Sequence, residues 1–145
     1  MLRGTYPAKV DSKGRIKIPA AFLDALKDLG GEFYVTSDNG NYVRVYPMKK
    51  WREIEEKLSR VPSYNKTKQK FLALANYYGQ AVMMDKQGRV LIPPVLREAA
   101  AMKGDVDVSG QLDYIEVWNH ARNMDRLKAE PLSDEDQKAL ADLGI

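Results

Sequence analysis

Short segments in which apolar and polar residues alternate flank one segment with helical spacing in the first third of the chain. Alternation puts apolar side chains on one face of a strand, whereas apolar residues three and four positions apart form one face of a helix. The helical segment stops at Gly30, a residue type that commonly ends helices. The order predicts a ββαββ unit with strands at residues 5–10, 15–18, 32–36 and 42–46 around a helix at residues 20–29.

The same order of segments returns in the second half of the chain. Apolar residues at helical spacing begin after Pro93 and stop at Gly104, which predicts a second helix with strands on both sides. A unit of about 45 residues rarely buries enough apolar surface to be stable alone. We therefore expect the two copies to interleave around one core as a single pseudo-two-fold domain. The predicted elements of the second copy are strands at residues 80–84, 89–92, 105–109 and 114–118 and a helix at residues 94–103.

A nine-residue pattern marks the doubling. Residues 11–19 read DSKGRIKIP, and residues 85–93, which lie 74 positions later, read DKQGRVLIP. Asp-x-x-Gly is typical of a tight turn, because the Asp side chain accepts from backbone N–H groups two residues on and Gly tolerates a positive φ. Strand, turn and strand predict a β-hairpin with a basic tip in each copy. Pro19 and Pro93 then stand where a helix begins.

Two amphipathic helices are predicted between the copies. Trp51, Ile54 and Leu58 share one helix face, and a second apolar stripe runs from Phe71 to Tyr78. We expect both helices to pack against the core or a neighbouring subunit. The chain then divides into a first unit at residues 5–49, linking helices at residues 50–76, a second unit at residues 77–121, and a C-terminal helix with an acidic tail at residues 122–145.

Composition fits one soluble domain. The chain has 145 residues, 44% of them hydrophobic, with a mean hydropathy of −0.48, and no run is long enough to span a bilayer. Its start has no apolar core of the kind that signal peptides carry, so we expect a cytoplasmic protein. Cysteine is absent, which excludes disulfides and thiolate metal sites.

The positive charge lies in the first half of the chain. Residues 1–75 hold 15 Lys and Arg against 8 Asp and Glu, whereas residues 76–145 hold 8 against 12. A basic hairpin tip is the feature expected for a polyanion partner. Charge alone is equally compatible with a solvated turn that carries ordinary surface lysines. The symmetric Arg15 and Arg89 favour nucleic acid, because a two-stranded β element enters the DNA major groove and Arg binds guanine bidentately.

Each charged residue of the two turns therefore receives an expected role. Arg15 and Arg89 would read bases, and the remaining basic residues would hold phosphates. The first copy is the expected principal contact, because Leu91 replaces the basic Lys17 in the second copy. The predicted DNA-binding residues are Arg3, Lys9, Lys13, Arg15, Lys17, Lys86 and Arg89, and the predicted turn and orienting residues are Asp11, Gly14, Asp85 and Gly88.

Catalytic chemistry is disfavoured. Asp11 and Asp85 could share a proton as in aspartic proteases, but that requires a buried apolar site and each of them adjoins Lys and Arg in a polar turn. His120, the one histidine, has no partner at metal or triad spacing in the sequence, and no Gly-rich phosphate loop is present. We expect neither an enzyme nor a cofactor, a metal or a small-molecule substrate.

The doubled motif resembles the MraZ family of bacterial transcriptional regulators. The resemblance covers residues 1 to about 127 and rests on the start Met1-Leu2-Arg3-Gly4, residues 11–15, Tyr46-Pro47 before Trp51, Leu72, residues 85–97 and Trp118. Ala101, where Gly is commoner, and the acidic tail depart from the family pattern. The resemblance implies an α+β fold in which two AbrB-like ββαββ units form a pseudo-two-fold swapped-hairpin β-barrel with linking helices. The family's Asp-x-x-x-Arg motif maps onto Asp11 with Arg15 and onto Asp85 with Arg89.

The resemblance also implies a function and partners. It implies sequence-specific binding to repeated double-stranded DNA boxes upstream of the division and cell-wall gene cluster, assembly into a homo-oligomeric ring, and a location on the nucleoid. An antitoxin-like or scaffold module on the same fold is the alternative, in which the acidic second half would dock a protein. RNA is disfavoured, because no aromatic stacking platform is interleaved with the basic hairpin.

Overall fold

The structure is a computed structural model that describes residues 1–145. It mixes helices with antiparallel strands, and none of its helices is both long and apolar enough to cross a membrane. The elements are β1 (Thr5–Lys9), β2 (Arg15–Lys17), α1 (Ala20–Leu26) with a 3₁₀ turn at Lys27–Leu29, β3 (Glu32–Thr36), β4 (Val43–Pro47), α2 (Met48–Ser59), α3 (Lys66–Tyr78), β5 (Gln80–Met83), β6 (Arg89–Leu91), α4 (Pro94–Ala99), β7 (Asp105–Gly110), β8 (Ile115–Asn119), α5 (His120–Ala129) and α6 (Asp134–Asp142).

Two antiparallel sheets contain strands from both copies. The larger has six strands in the order β1-β7-β8-β4-β3-β5, and the smaller is the pair β2-β6. Partners from different copies therefore meet at β1–β7, β4–β8, β3–β5 and β2–β6, all within one chain. The six-stranded sheet ends at β1 and β5, which are not paired with each other. The expectation of a closed barrel is thus not met by this sheet.

The predicted hairpins are tight turns whose two arms pair elsewhere. In the first copy, β1 pairs with β7 and β2 pairs with β6, so no ladder joins β1 to β2. One bond of hairpin type remains, from the Asp11 N–H to the Arg15 carbonyl at 2.9 Å. The prediction of a self-paired hairpin is therefore wrong. The strand after each turn instead pairs with the corresponding strand of the other copy, and its apolar face is buried.

One core joins the two copies. The cluster of 19 buried residues contains equivalent positions from each copy, such as Ile16 with Val90 and Phe22 with Leu96. Both members of each pair are at most 1% exposed. Burying an aliphatic or aromatic side chain of this size contributes roughly 1.5–3 kcal/mol. Since each copy covers the apolar residues of the other, neither has a complete core by itself.

The fourth helix ends earlier than predicted. Helix α4 ends at Ala99, because Ala101 adopts φ 52° and turns the chain. This reversal places Met102 in the core at 1% exposure, with its N–H donating to the Arg97 carbonyl at 2.9 Å. Pro19 and Pro93 occupy the N-cap positions of α1 and α4, immediately before the first helical residue.

The linking helices α2 and α3 pack on the sheet of their own chain. Trp51 of α2 stacks on Tyr34 with ring centres 4.5 Å apart, and both contact the small cluster around Ala75 of α3. The buried Thr36 hydroxyl donates to the Ala75 carbonyl at 2.8 Å. In contrast, α6 buries none of its residues.

Candidate nucleic-acid interface

The two Asp-x-x-Gly-Arg turns share one hydrogen-bonding pattern. In the first turn, Asp11 Oδ1 accepts from the backbone N–H groups of Lys13 at 3.0 Å and Arg15 at 2.9 Å. The Gly14 N–H closes the turn by donating to the Asp11 carbonyl at 3.0 Å, and Gly14 has φ 80°, which an L side chain adopts only with strain. Asp11 thus holds the turn through one carboxylate oxygen and its backbone carbonyl.

The second turn repeats this geometry closely. Asp85 Oδ1 accepts from the backbone N–H groups of Gln87 and Arg89, both at 2.9 Å. Gly88 donates to the Asp85 carbonyl at 3.0 Å and has φ 77°. The sequence motif therefore corresponds to one local structure that occurs twice.

The second oxygen of each Asp orients the arginine. Arg15 Nε donates to Asp11 Oδ2 at 2.8 Å, and Arg89 Nε donates to Asp85 Oδ2 at 2.7 Å. Charge-assisted bonds of this length are stronger than neutral ones. The Nη groups of Arg15 and Arg89 form no intramolecular hydrogen bond, although Nη1 of each arginine lies within 4 Å of the carboxylate of the other turn. Each arginine is therefore held by one edge and retains donors at the other.

The register of β2 and β6 joins the two turns. Ile16 pairs with Val90 on the buried face, which leaves Arg15 opposite Leu91 and Lys17 opposite Arg89 on the other face. Each turn also binds the strand end of the other copy, because the Ile18 N–H donates to the Gly88 carbonyl and the Ile92 N–H to the Gly14 carbonyl, at 2.8 and 3.0 Å. The two motifs, predicted as separate tips, lie on one β2–β6 ribbon.

Four charges meet between the turns. Arg15 Nη1 lies 3.7 Å from Asp85 Oδ2, and Arg89 Nη1 lies 3.9 Å from Asp11 Oδ2. These four side chains are between 25% and 32% exposed, so the cluster is in contact with solvent. We call Asp11, Arg15, Asp85 and Arg89 the charge cluster.

The charge cluster keeps both carboxylates ionised. The backbone N–H of Arg15 lowers the pKa of Asp11, and the Arg15 side chain lowers it further against the opposing effect of desolvation. The backbone N–H and side chain of Arg89 act in the same way on the pKa of Asp85. A shared proton would need one of the two pKa values to be raised, so the geometry does not suit acid–base chemistry of the aspartic-protease type.

The other predicted contact residues lie at different distances from the cluster. Lys13 and Lys86 are exposed within the turns, and Lys17 is exposed at the end of β2. Lys9 lies at the end of β1 nearest the turn, with Nζ 3.6 Å from Asp105 Oδ1. Arg3 precedes β1 and so lies at the opposite end of that strand. The structure thus brings the turn and ribbon residues together and leaves Arg3 apart from them.

Arg97 is a basic residue at the first turn that the motif does not include. Its guanidinium packs against Gly14, where an added Cβ would lie 1.9 Å from Cζ. Arg97 Nη2 donates to the Ile92 carbonyl at 2.9 Å, while the buried Nε has no hydrogen-bond partner. The equivalent residue 74 positions earlier is Leu23, whose Cδ1 would lie 3.5 Å from a Cβ added at Gly88. Aligning the copies beyond the ninth residue would have revealed this difference.

His120 has a carboxylate partner that the sequence did not indicate. Its Nδ1 lies 2.9 Å from Asp107 Oδ1, and Asn123 donates to Asp107 Oδ2 at 2.7 Å. The two contacts join α5 to β7, which is a structural role. The chain contains no group of three or more His, Cys, Asp or Glu side chains that could hold a metal ion.

The fold and the charge cluster define a chain built from two interleaved copies of one ββαββ unit, with paired Asp–Arg turns. The family model described as "MraZ protein, putative antitoxin-like" matches residues 1–74 and 79–143. Proteins named "Transcriptional regulator MraZ" are similar over the full length of both chains, at 49% identity in Koribacter versatilis and 44% in Acidobacterium capsulatum. The chain therefore belongs to the MraZ family.

A more distant relative and a solved structure show weaker similarity. The protein of the same name from Thiobacillus denitrificans is 38% identical over 84% of this chain and 83% of its own. The solution structure of PHS018 from Pyrococcus horikoshii aligns with 81% of this chain and 88% of its own at 18% identity, with a TM-score of 0.34. That similarity is too low to support any conclusion about this chain.

Proposed function

We propose that this protein is a sequence-specific DNA-binding transcriptional regulator whose DNA contact is the β2–β6 ribbon with its two turns. The charge cluster carries the proposal, because Arg15 and Arg89 are each held by Asp through Nε and keep their Nη groups for another acceptor. The name of the full-length relatives, "Transcriptional regulator MraZ", supports the same function.

The chemistry of the ribbon suits duplex DNA. A two-stranded β-ribbon fits the major groove, and the two Nη groups of an arginine match the O6 and N7 acceptors of guanine. Arg15 and Arg89 would read bases in this way. The phosphate contacts would come from Lys13, Lys17 and Lys86 around the ribbon and from Lys9 at the end of β1 next to the first turn, with Arg3 farther away, before β1 begins.

The arrangement of the copies favours an AbrB-like swapped-hairpin fold, with an open sheet rather than a closed barrel. The pairing of β2 from the first copy with β6 from the second supports this fold. In this proposal residues 5–49 are the first AbrB-like unit and the principal DNA-binding one, and residues 77–121 are the second AbrB-like unit. Residues 50–76 link them, and residues 122–145 are appended. The protein would act on the nucleoid in the cytoplasm.

Several subunits would act together on the operator. We propose a homo-oligomeric ring that binds repeated boxes upstream of the division and cell-wall gene cluster. Boxes about 10 base pairs apart would present the same face of the duplex to neighbouring subunits. Weak contacts from single ribbons would then add up through avidity.

Substitution of Arg15 tests the proposal. The Arg15→Ala protein should lose specific binding to a duplex from its own upstream region, measured by fluorescence polarisation against a shuffled duplex, and should keep its wild-type sedimentation coefficient. Lys128→Ala is the matched control, because Lys128 is exposed on α5, far from the ribbon in the chain. Operator affinity equal to wild type in Arg15→Ala would overturn the assignment.

A protein-docking module is the second candidate function. The family description includes "antitoxin-like", and residues 76–145 carry a net negative charge. Salt dependence separates the two candidates, since binding to duplex weakens steeply with salt when phosphates are neutralised. If the protein is only a docking module, it should show no duplex binding even at low salt.

A further inference from the structure

The C-terminal helix α6 is capped at both ends but buries none of its residues. Ser133 and Asp136 form a reciprocal capping box, with bonds of 2.9 and 3.0 Å. At the other end, Gly144 has φ 79° and the Ile145 N–H donates to the Leu140 carbonyl at 3.0 Å. A helix of nine residues is marginal in water unless tertiary contacts support it. The caps therefore give local support to a helix that buries none of its residues.

The C-terminal end of α6 is apolar and the helix as a whole is acidic. Leu140 and Leu143 lie one turn apart, and the terminal bond brings Ile145 back toward Leu140. Leu143 is 74% exposed and Ile145 is 82% exposed. Residues 130–145 hold five Asp and Glu against one Lys. This end of the chain is thus an acidic helix with an exposed apolar tip.

The linking helices carry the opposite features. Ile54 and Leu58 of α2, Val61 after it and Phe71 of α3 line an open groove whose surface is almost wholly apolar. Lys57 and Thr67 complete the lining. Residues 48–78 hold eight Lys and Arg against three Asp and Glu. The helix pair is therefore a basic surface with an apolar groove.

We propose that α6 of one copy docks into this α2–α3 groove of a second copy. Leu140, Leu143 and Ile145 would fill the groove, and the opposite net charges of the two segments would steer the encounter. The occupant is a second copy because α6 buries no residue on its own chain. The inference rests on the self-association proposed above and names a segment that contributes to it.

Engineered cysteines test the contact directly, because the chain contains no cysteine of its own. Leu58→Cys protein mixed with Leu143→Cys protein should form a disulfide-linked heterodimer under mild oxidation, seen at twice the monomer mass on a non-reducing gel. Lys138→Cys is the matched control, since Lys138 lies on the face of α6 away from Leu140. A heterodimer yield no higher than that of the control, or a crosslink within one chain of the Leu58→Cys/Leu143→Cys protein, would overturn the proposal.

Sedimentation equilibrium gives an independent measurement. Leu140→Asp/Leu143→Asp should raise the dissociation constant for self-association at least about tenfold, because two buried leucines are lost from the contact. Lys138→Asp, the control on the opposite face, should change it much less. An unchanged constant in the double variant contradicts the docking, and so does a wild-type protein that is monomeric at every concentration. DNA binding is read separately by polarisation, so failure of the docking and failure of the DNA-binding function are distinguishable.

Discussion

Arg15 of the first copy lies 3.7 Å from the Asp85 carboxylate of the second, measured from Nη1 to Oδ2. Asp85 meanwhile holds the turn that orients Arg89. Since Arg89 in turn approaches Asp11, the two motifs are electrostatically coupled. A substitution at either turn should therefore change the electrostatic environment of the arginines in both turns.

Coupling between the turns predicts non-additive substitutions. Arg15→Ala and Arg89→Ala should each weaken operator binding by roughly 1–3 kcal/mol, the usual value of a bidentate base contact. Arg15→Ala should have the larger effect, because the first turn also carries Lys13 and Arg97. The double variant should lose less than the sum of the single losses, because either substitution already disturbs the charge cluster. Polarisation titrations of all three proteins at one salt concentration check this, and strictly additive losses would argue for two independent sites.

Arg97 should strengthen DNA binding through the first turn. Replacing it by the residue at the equivalent position, Arg97→Leu, removes a cation beside Gly14. We expect weaker binding across all duplex sequences and a salt slope reduced by about one, as for the loss of one phosphate contact. Leu23→Arg, which builds the same feature under Gly88, should shift both quantities the other way. Unchanged salt slopes in both proteins would limit Arg97 to a packing role.

The sequence contains enough information to place most elements. Strand β3 was predicted at residues 32–36 and is observed at Glu32–Thr36, because alternating residues stand between turn-forming ones. Pairing partners are a different matter. Strand β2, which contains Ile16, could pair with β1 or with β6, and a three-residue strand carries no local signal that selects between these partners.

Tertiary packing also decides features that local propensity opposes. Helix α4 was predicted to reach residue 103 but ends at Ala99, because burial of Met102 requires a left-handed residue at Ala101.

The pattern of the turns, with Asp, Gly and Arg at fixed spacing, could be predicted from the motif. The charge cluster could not, because it depends on the register in which Lys17 faces Arg89.

The two turn glycines should differ in their tolerance of a side chain. Gly88→Ala should lower the free energy of unfolding by about 1–2 kcal/mol, because its positive φ disfavours a Cβ while Leu23 leaves room for one. Gly14→Ala should cost more, because the new Cβ must also displace the Arg97 guanidinium from its bond to Ile92. Adding Arg97→Leu should bring the cost of Gly14→Ala down toward that of Gly88→Ala. Urea unfolding of the wild type, the three single variants and the Gly14→Ala/Arg97→Leu protein measures this, and equal losses at both glycines would contradict it.

The carboxylates of the charge cluster should make the protein sensitive to acid. Backbone N–H groups and arginines lower the pKa values of Asp11 and Asp85 below the ordinary value of 3.8. A pKa lowered on folding contributes stability that is fully present above the unfolded-state pKa and is lost as the pH falls through the folded-state value. The urea midpoint of the wild-type protein should therefore fall between about pH 5 and about pH 2.

Substitution of Asp11 isolates this contribution. Asp11→Asn keeps an oxygen that can accept from the turn but removes the titrating charge, so the protein should be less stable at pH 7 and its midpoint should fall less on acidification. Asp125→Asn is the control, because Asp125 is an exposed residue of α5 far from the ribbon in the chain. Urea midpoints measured at pH 7, 5, 4 and 3 give both slopes. Parallel pH profiles for Asp11→Asn and wild type would show that the charge of Asp11 does not stabilise the turn.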